Sequence, residues 1–468
     1  MNWEVMMQRK KVDTLIHRGM IVPMGSAEII ENGAIAVEDG RIAEVGPTDL
    51  LEAAYEADQT IDASGKAVLP GFVDTHHHFL QHYLKGPRDD VDLPQWIENV
   101  SAPVISRTVR DFKEDNNDMQ LVATRLGCLE AVKMGITTIL NMEWATHPAL
   151  LDVYDLVGNR VVHTLTFTDI DEWDNPDMLL PIPRCFDLAD ALIAKCGTLS
   201  KKRVEFRYGI ADEICATPEL VKDIRAAADR SGCGIHLHMA ETKRSVEKIG
   251  RLYGSTPVAY LEGLGLLKSD VLGAHCIYMN DDDLDIMART GATVSHNPEA
   301  NTKIAEGIAP VAGMLDRGIP VSLGTDTVAA NDNMDMFEAM RLAAFLQKVT
   351  TEDPTRLPAY SALEMATIGG ARALEMEDRI GSLEAGKKAD VILVDIDSLH
   401  MQPRNSIVNN LVYCASAASD VDTVLIEGDV VVRSGELVHF DEKSEVAAFK
   451  EFAKRELTKE GLTLPSYY

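Results

Sequence analysis

Eight short apolar segments, each followed by a stretch with helical periodicity, run through the middle of this 468-residue chain and constrain its fold more than any other feature. They read KAVLPGFVDTH, GITTILN, RVVHTLTF, VEFRYGI, GIHLHMAE, VLGAHC, ATVSHN and IPVSLGTD. Strands that alternate with helices pair in parallel. Eight such units over roughly 260 residues match the size of a (β/α)8 or TIM barrel. In that fold chemistry gathers at the C-terminal ends of the strands, where the polar residues of these segments fall.

The two ends of the chain differ in kind. GAIAVEDGRIAEVG alternates around Asp39 and Gly40, a hairpin signal, and ADVILVDID and VDTVLIEGDVVVRSGELV have the same character. A closed barrel returns the chain to its start, so residues 1–67 and 378–440 are expected to form one small composite β-sandwich domain. The barrel then spans residues 68–377, and a helical tail, 441–468, ends in LTLPSYY. Two long connections, Gln81 to Asp118 and Thr168 to Lys202, are expected to cover a site.

His76, His77 and His78 stand in a row at the end of the first apolar segment. Strand geometry puts His76 and His78 on one face with Asp74, and His77 on the other. His238, His275 and Asp326 end the fifth, sixth and eighth segments. Strand ends converge on the barrel mouth, so His76, His78, His238 and Asp326 are expected to hold one divalent metal ion. Three imidazoles and a carboxylate suit zinc, with iron or manganese as substitutes.

Such an ion lowers the pKa of a bound water to roughly 7. Asp326 is then placed to take the water's proton, Glu241 to protonate the substrate, and His275 to orient the nucleophile or stabilise an oxyanion. Trp96, Glu143, His296 and Asn297 are expected to contact substrate, with Trp144 weighed equally with Glu143. His236 shares a face with His238 but lies deeper, which fits a buried hydrogen-bonding role. The acidic runs DDDLD and RDDVD read as solvated faces or helix starts.

A formal charge of −29 argues against nucleic acid and anionic membrane as partners, since both need a basic face. Seven scattered cysteines, with no C-x-x-C pair, suit free thiols in a reducing compartment. No leader or membrane-spanning run is evident, so the expected location is the cytoplasm.

DTHHH, HMAE, AHC and GTD, in this order on an alternating β/α pattern, resemble the amidohydrolase superfamily, in its cytosine-deaminase-like and chlorohydrolase-like branch. VLPGFVDTH, SHNPEANTKIAEGIAPVAGMLDRGIPVSLGTD, EMATIGGARAL and IGSLEAGKKADVILVD extend the resemblance over almost the whole chain. It implies the same four ligands, the catalytic groups Glu241, His275 and Asp326, and the composite β domain. Binuclear members carry a lysine at the end of the fourth strand, where this chain reads RVEFRYGI, which favours a single ion. Deaminases of methylthioadenosine and S-adenosylhomocysteine, and triazine hydrolases, are similar. The former usually have a Pro-His-Ala-Pro-like segment after the fourth strand, where this chain has GIADEICATPEL. Acid-rich TDIDEWDNPD stands where arginines would meet a carboxylate-bearing substrate, which points to a neutral or cationic heterocycle.

The expected activity is hydrolytic deamination of an aminated nitrogen heterocycle of purine, nucleoside, pterin, pyrimidine or triazine type. The same groups suit hydrolysis of an amide, urea, carbamate or chloro-heterocycle, and a scaffold without catalysis is the remote alternative. The partner is a small molecule, and similar proteins are often homo-oligomers.

Overall fold

The computed structural model describes residues 9–25, 27–86 and 90–459. Residues 1–8, Arg88 and Asp89 of the RDDVD run, and the closing LTLPSYY lie outside the described residues. Strands β1 (Lys10–Ile21), β2 (Ile30–Glu38), β3 (Arg41–Pro47), β4 (Tyr55–Asp62) and β5 (Lys66–Pro70) come first. Eight more follow: β6 (Phe72–His77), β7 (Ile136–Glu143), β8 (Arg160–Phe167), β9 (Val204–Asp212), β10 (Ile235–Met239), β11 (Val271–His275), β12 (Thr293–His296) and β13 (Val321–Leu323). The last are β14 (Val391–Asp395), β15 (Val421–Ile426), β16 (Asp429–Arg433) and β17 (Glu436–Leu437).

Strands β6 to β13 pair in sequence order, every neighbour parallel. The Asp326 amide donates to the His76 carbonyl at 2.8 Å, so the chain after the eighth strand returns to the first. This is the eight-stranded parallel barrel expected from the alternating pattern. Inside it the Thr75 hydroxyl lies 2.7 Å from Ser295 Oγ and 2.8 Å from Ser322 Oγ, tying three strands together below the mouth. Outside it the large core fills the space between strands and helices, as where Phe72 meets Phe337 edge-on at 5.0 Å.

The terminal segments form a separate nine-stranded sheet, in the order β17-β16-β15-β14-β5-β1-β2-β3 with β4 on β1. Asp39 and Gly40 join β2 to β3 with φ of 51° and 71°, the positive pair that a two-residue type I′ hairpin requires. The Ala389 amide donates to Gly40 O at 3.0 Å, folding this hairpin back toward the C-terminal strands. The run KAVLPGFVDTH, read as one strand, divides at Gly71. β5 pairs with β1 and β14 in the terminal sheet, and only β6 enters the barrel. The DDDLD run begins a helix, Asp281–Thr290, whose first turn is closed by a capping box between Asn280 and Asp283. Among the described residues no helix is long and apolar enough to cross a membrane.

Sheet and barrel meet at a charged cluster. Glu427, in the β15–β16 turn, accepts from Arg203 at 2.6 Å and pairs with Lys388 at 2.5 Å and Arg160 at 3.5 Å. Burial alone would raise its carboxyl, but these cations outweigh burial and bring it down to about 2. Because the folded value lies below the unfolded one, this stability is present above the usual carboxylate range and is lost as pH falls toward 2. Glu427→Gln is therefore expected to cost on the order of 3 kcal/mol at pH 7 and much less near pH 3. Urea unfolding at the two pH values measures it; equal losses at both would contradict the assignment.

Candidate metal centre

His76 ends β6 and His78 follows it; the two rings stand edge to face at 4.8 Å. His238 and His275 arrive from the ends of β10 and β11, with rings 5.0 Å and 5.3 Å from that of His76. Asp326 comes from the turn after β13, its Oδ1 3.3 Å from His76 Nε2 and 3.6 Å from His78 Nε2. Ligand atoms of His76, His78 and Asp326, and likewise of His76, His238 and His275, lie within 4.8 Å of one another. His77 points away, its Nδ1 3.0 Å from Thr325 Oγ1.

The ring nitrogens facing away from the cluster have partners that set the tautomers. His78 Nδ1 donates to Met142 O at 2.7 Å, and His238 Nδ1 donates to Ala211 O. His275 Nδ1 lies 2.7 Å from Asn301 Oδ1, a contact that outcompetes Asn297 Nδ2 at 3.4 Å. His236 Nδ1 donates to Leu272 O at 2.9 Å, so its Nε2 is left to accept from His76 Nδ1 at 2.8 Å. Each of the four rings thus turns an Nε2 lone pair inward.

Two of those lone pairs face the carboxylate of Asp326. His76 Nε2 is fully buried and has no hydrogen-bond partner. Acceptors set against acceptors in a dry site are costly unless a cation lies between them, so the donor set fits a divalent ion. Burial first, then mutual repulsion, holds His76 and His238 well below the usual imidazole range. Burial also lowers His78 and His275, against the pull of Asp326. Neutral imidazoles are the form a metal binds.

The local backbone is strained to bring these groups in. His275 and Asp326 have φ of 70° and 58°, and Ala240, beside Glu241, has 48°, left-handed values that non-glycine residues seldom adopt. Gly324 fills the floor, where a Cβ would come 2.4 Å from Asn297 Oδ1 and 2.9 Å from His76 Cβ. Asp74 lies below rather than in the cluster. It accepts from Thr325 N at 3.1 Å and from Thr325 Oγ1, joining the first strand to the Asp326 turn.

Above the cluster opens a cavity of about 330 Å³, lined near the ligands by His78, Trp144, His238, Glu241, His275 and Asp326. Glu241 is 8% exposed, with Oε1 3.7 Å from His275 Nε2. Burial and the neighbouring Asp326 and Glu306 carboxylates raise its carboxyl well above the usual range.

Of the four residues expected to touch substrate, Trp96 lines the cavity, its Nε1 donating to Ala329 O at 3.3 Å. Glu143, His296 and Asn297 are not among its lining residues. Glu143 turns inward and accepts from Leu80 N at 2.8 Å, fixing the turn after His78, and its neighbour Trp144 takes the cavity face. His296 is fully buried, and Asn297 accepts from Ser295 Oγ at 3.1 Å below the site. Both long connections contribute lining residues: Ile97 and Ile105 from the first, Trp173 and Met178 from the second. Asn301, which orients His275, and the carbonyls of Met142, Ala211 and Leu272, which orient His78, His238 and His236, carry no signature in the sequence.

His236→Phe removes the acceptor that sets the His76 tautomer. It is expected to weaken metal binding by 10- to 100-fold while leaving the fold intact. Competition with a chelator measures this, and unchanged affinity would show that His236 does not act through His76.

Residues 67–431 match the amidohydrolase family, and residues 33–55 the imidazolonepropionase-like composite domain of bacteria. A 5-methylthioadenosine/S-adenosylhomocysteine deaminase of Syntrophomonas wolfei is 37% identical over 93% of this chain and 97% of its own length. A 5'-deoxyadenosine deaminase of Methanothermobacter thermautotrophicus is 36% identical over 92% and 96%. The solved structure of an adenosine deaminase from Xanthomonas campestris with bound zinc superposes with a TM-score of 0.89 at 28% identity, covering 96% of this chain and all of that one. A barrel whose strand ends converge in this way, matched along nearly its whole length, makes the chain a hydrolase of the amidohydrolase family, whose members are typically metal-dependent.

Proposed function

We propose that this chain deaminates an amino heterocycle of the adenine-nucleoside kind, using one divalent ion, zinc in the first instance. His76, His78, His238 and Asp326 would hold the ion. When bound, it supplies water activated as a nucleophile at neutral pH. Asp326 takes the water's proton. Glu241 would deliver its proton to the ring nitrogen next to the reacting carbon, recover one from the hydroxyl that the attack leaves on that carbon and pass it to the departing amine, and the proton held by Asp326 would then restore Glu241. His275, its tautomer fixed by Asn301, orients the nucleophile, and Trp96 and Trp144 offer flat walls to the ring.

The placement of Glu241 carries this reading: a buried carboxyl, against His275, on the cavity wall beside the ligand cluster. Aromatic deamination needs such a shuttle, and the names of the similar proteins agree with it. The decisive experiment is ammonia release by zinc-reconstituted protein across adenine nucleosides, adenosine thioethers, aminopyrimidines, pterins and aminotriazines. Release is expected from the adenine compounds. Silence from the whole panel with metal bound would overturn deamination in favour of amide, urea, carbamate or halide hydrolysis.

The described residues of 1–67, with the rest of β5 and residues 378–440, are assigned to a β unit that braces the barrel, and the barrel then begins with β6. All seven cysteines are free, which suits a reducing compartment and supports a cytoplasmic location.

A further inference from the structure

Three carboxylates of the acidic segment after β8, TDIDEWDNPD, are engaged within the protein. Asp169 accepts from Thr217 N at 2.8 Å and Thr217 Oγ1 at 2.6 Å, and Asp171 accepts from Asn175 N at 2.7 Å. Glu172 accepts from Arg244 Nη2 at 2.6 Å and pairs with Lys248. The segment is thereby fastened to the helix Lys243–Tyr253, which begins two residues after Glu241. What it turns to the cavity is Trp173 and Met178. The Arg244 guanidinium lies 4.5 Å from the Trp173 ring centroid, covering one face of the indole.

This wall stands at the cavity mouth, since the Arg244 side chain is 44% exposed while that of Glu241 is 11% exposed. Ile97, Ile105 and Ile214 continue it as apolar surface. Of the cations nearby, Arg244 is paired with Glu172, and Lys243, its Nζ 6.0 Å from the Tyr278 ring centroid, shares its wall with the carboxylates of Glu306 and Asp92.

We propose that Trp173 is a specificity-determining residue, which with Met178 reads an uncharged, apolar substituent on the amino heterocycle in preference to a carboxylate-bearing one. The proposal rests on the deaminase reading above. A carboxylate entering here loses water and meets a lining with more carboxylates than cations, whereas a small thioether gains contact with indole and thioether.

The test compares 5'-methylthioadenosine, adenosine and S-adenosylhomocysteine by steady-state ammonia release with the zinc enzyme. Kd values are read by calorimetry in Glu241→Gln protein, whose turnover is expected to be slower by on the order of 1,000-fold. Methylthioadenosine should bind up to about 100-fold more tightly than S-adenosylhomocysteine. Trp173→Ala should shrink the preference for methylthioadenosine over adenosine about tenfold in KM, and Trp173→Phe should retain it. A general structural effect would move both substrates together. Equal binding of methylthioadenosine and S-adenosylhomocysteine, a preference unchanged in Trp173→Ala, or binding of neither compound would overturn the proposal. Selective binding without ammonia would leave it standing and overturn deamination instead.

Discussion

Glu241→Gln is expected to lower kcat by on the order of 1,000-fold while metal content and thermal stability stay at wild-type levels. The substitution keeps the shape and one carbonyl oxygen but removes a proton that can be given and taken back. Glu241 lies outside the set of metal-facing atoms, 3.7 Å from His275 Nε2, so the amide should not disturb the ligands. Its carboxyl is held above the usual range first by burial and then by Asp326 and Glu306. A carboxyl raised in this way favours its protonated form, the form that can give a proton to the substrate. Ammonia release measured beside metal analysis settles the point: wild-type turnover with a full complement of metal would remove Glu241 from the reaction. A matched loss of metal and activity would instead make it a structural support of the site.

The convergence of the histidine and aspartate cluster was legible because parallel strands end at a common mouth whatever the helices between them do. Four short motifs in order were therefore enough to place His76, His78, His238 and Asp326 together. What escaped had no side-chain signature. The orienting carbonyls Met142 O, Ala211 O and Leu272 O would serve equally well from any residue at those positions. Glu143 and Trp144 are neighbours that point opposite ways, and one residue of uncertainty about where β7 ends exchanges their roles. The break at Gly71 was invisible for a related reason. Leu69 and Phe72 are both fully buried, and an apolar run reads alike whether it lies in one sheet or crosses between two. Only the packing marks the division, where a Cβ on Gly71 would come 2.1 Å from Thr137 Oγ1. The acids of TDIDEWDNPD were read as facing the substrate, whereas Asp169, Asp171 and Glu172 tie down the segment that carries Trp173.

Asp326→Asn should reverse its effect on stability according to whether metal is present. Without an ion, Asp326 Oδ1 faces two imidazole lone pairs at 3.3 Å and 3.6 Å, because the N–H groups of His76 and His78 are already committed to His236 and Met142 O. Three acceptors confront one another in a buried pocket, and an asparagine N–H would meet one of them. The metal-free variant is therefore expected to melt higher than metal-free wild type, by the worth of about one hydrogen bond, roughly 1 kcal/mol. With zinc the order inverts. An ion present at 1,000 times its Kd stabilises the wild type by about 4 kcal/mol, and loss of the anionic ligand forfeits much of this. Turnover should fall by at least about 1,000-fold in the variant, since the same carboxylate is proposed to bind the ion and to take the water's proton. Melting curves of both proteins, chelated and zinc-loaded, separate the cases. If the variant is less stable than wild type under both conditions by the same amount, Asp326 is a structural anchor of the turn after β13, and the converging lone pairs are not a metal site.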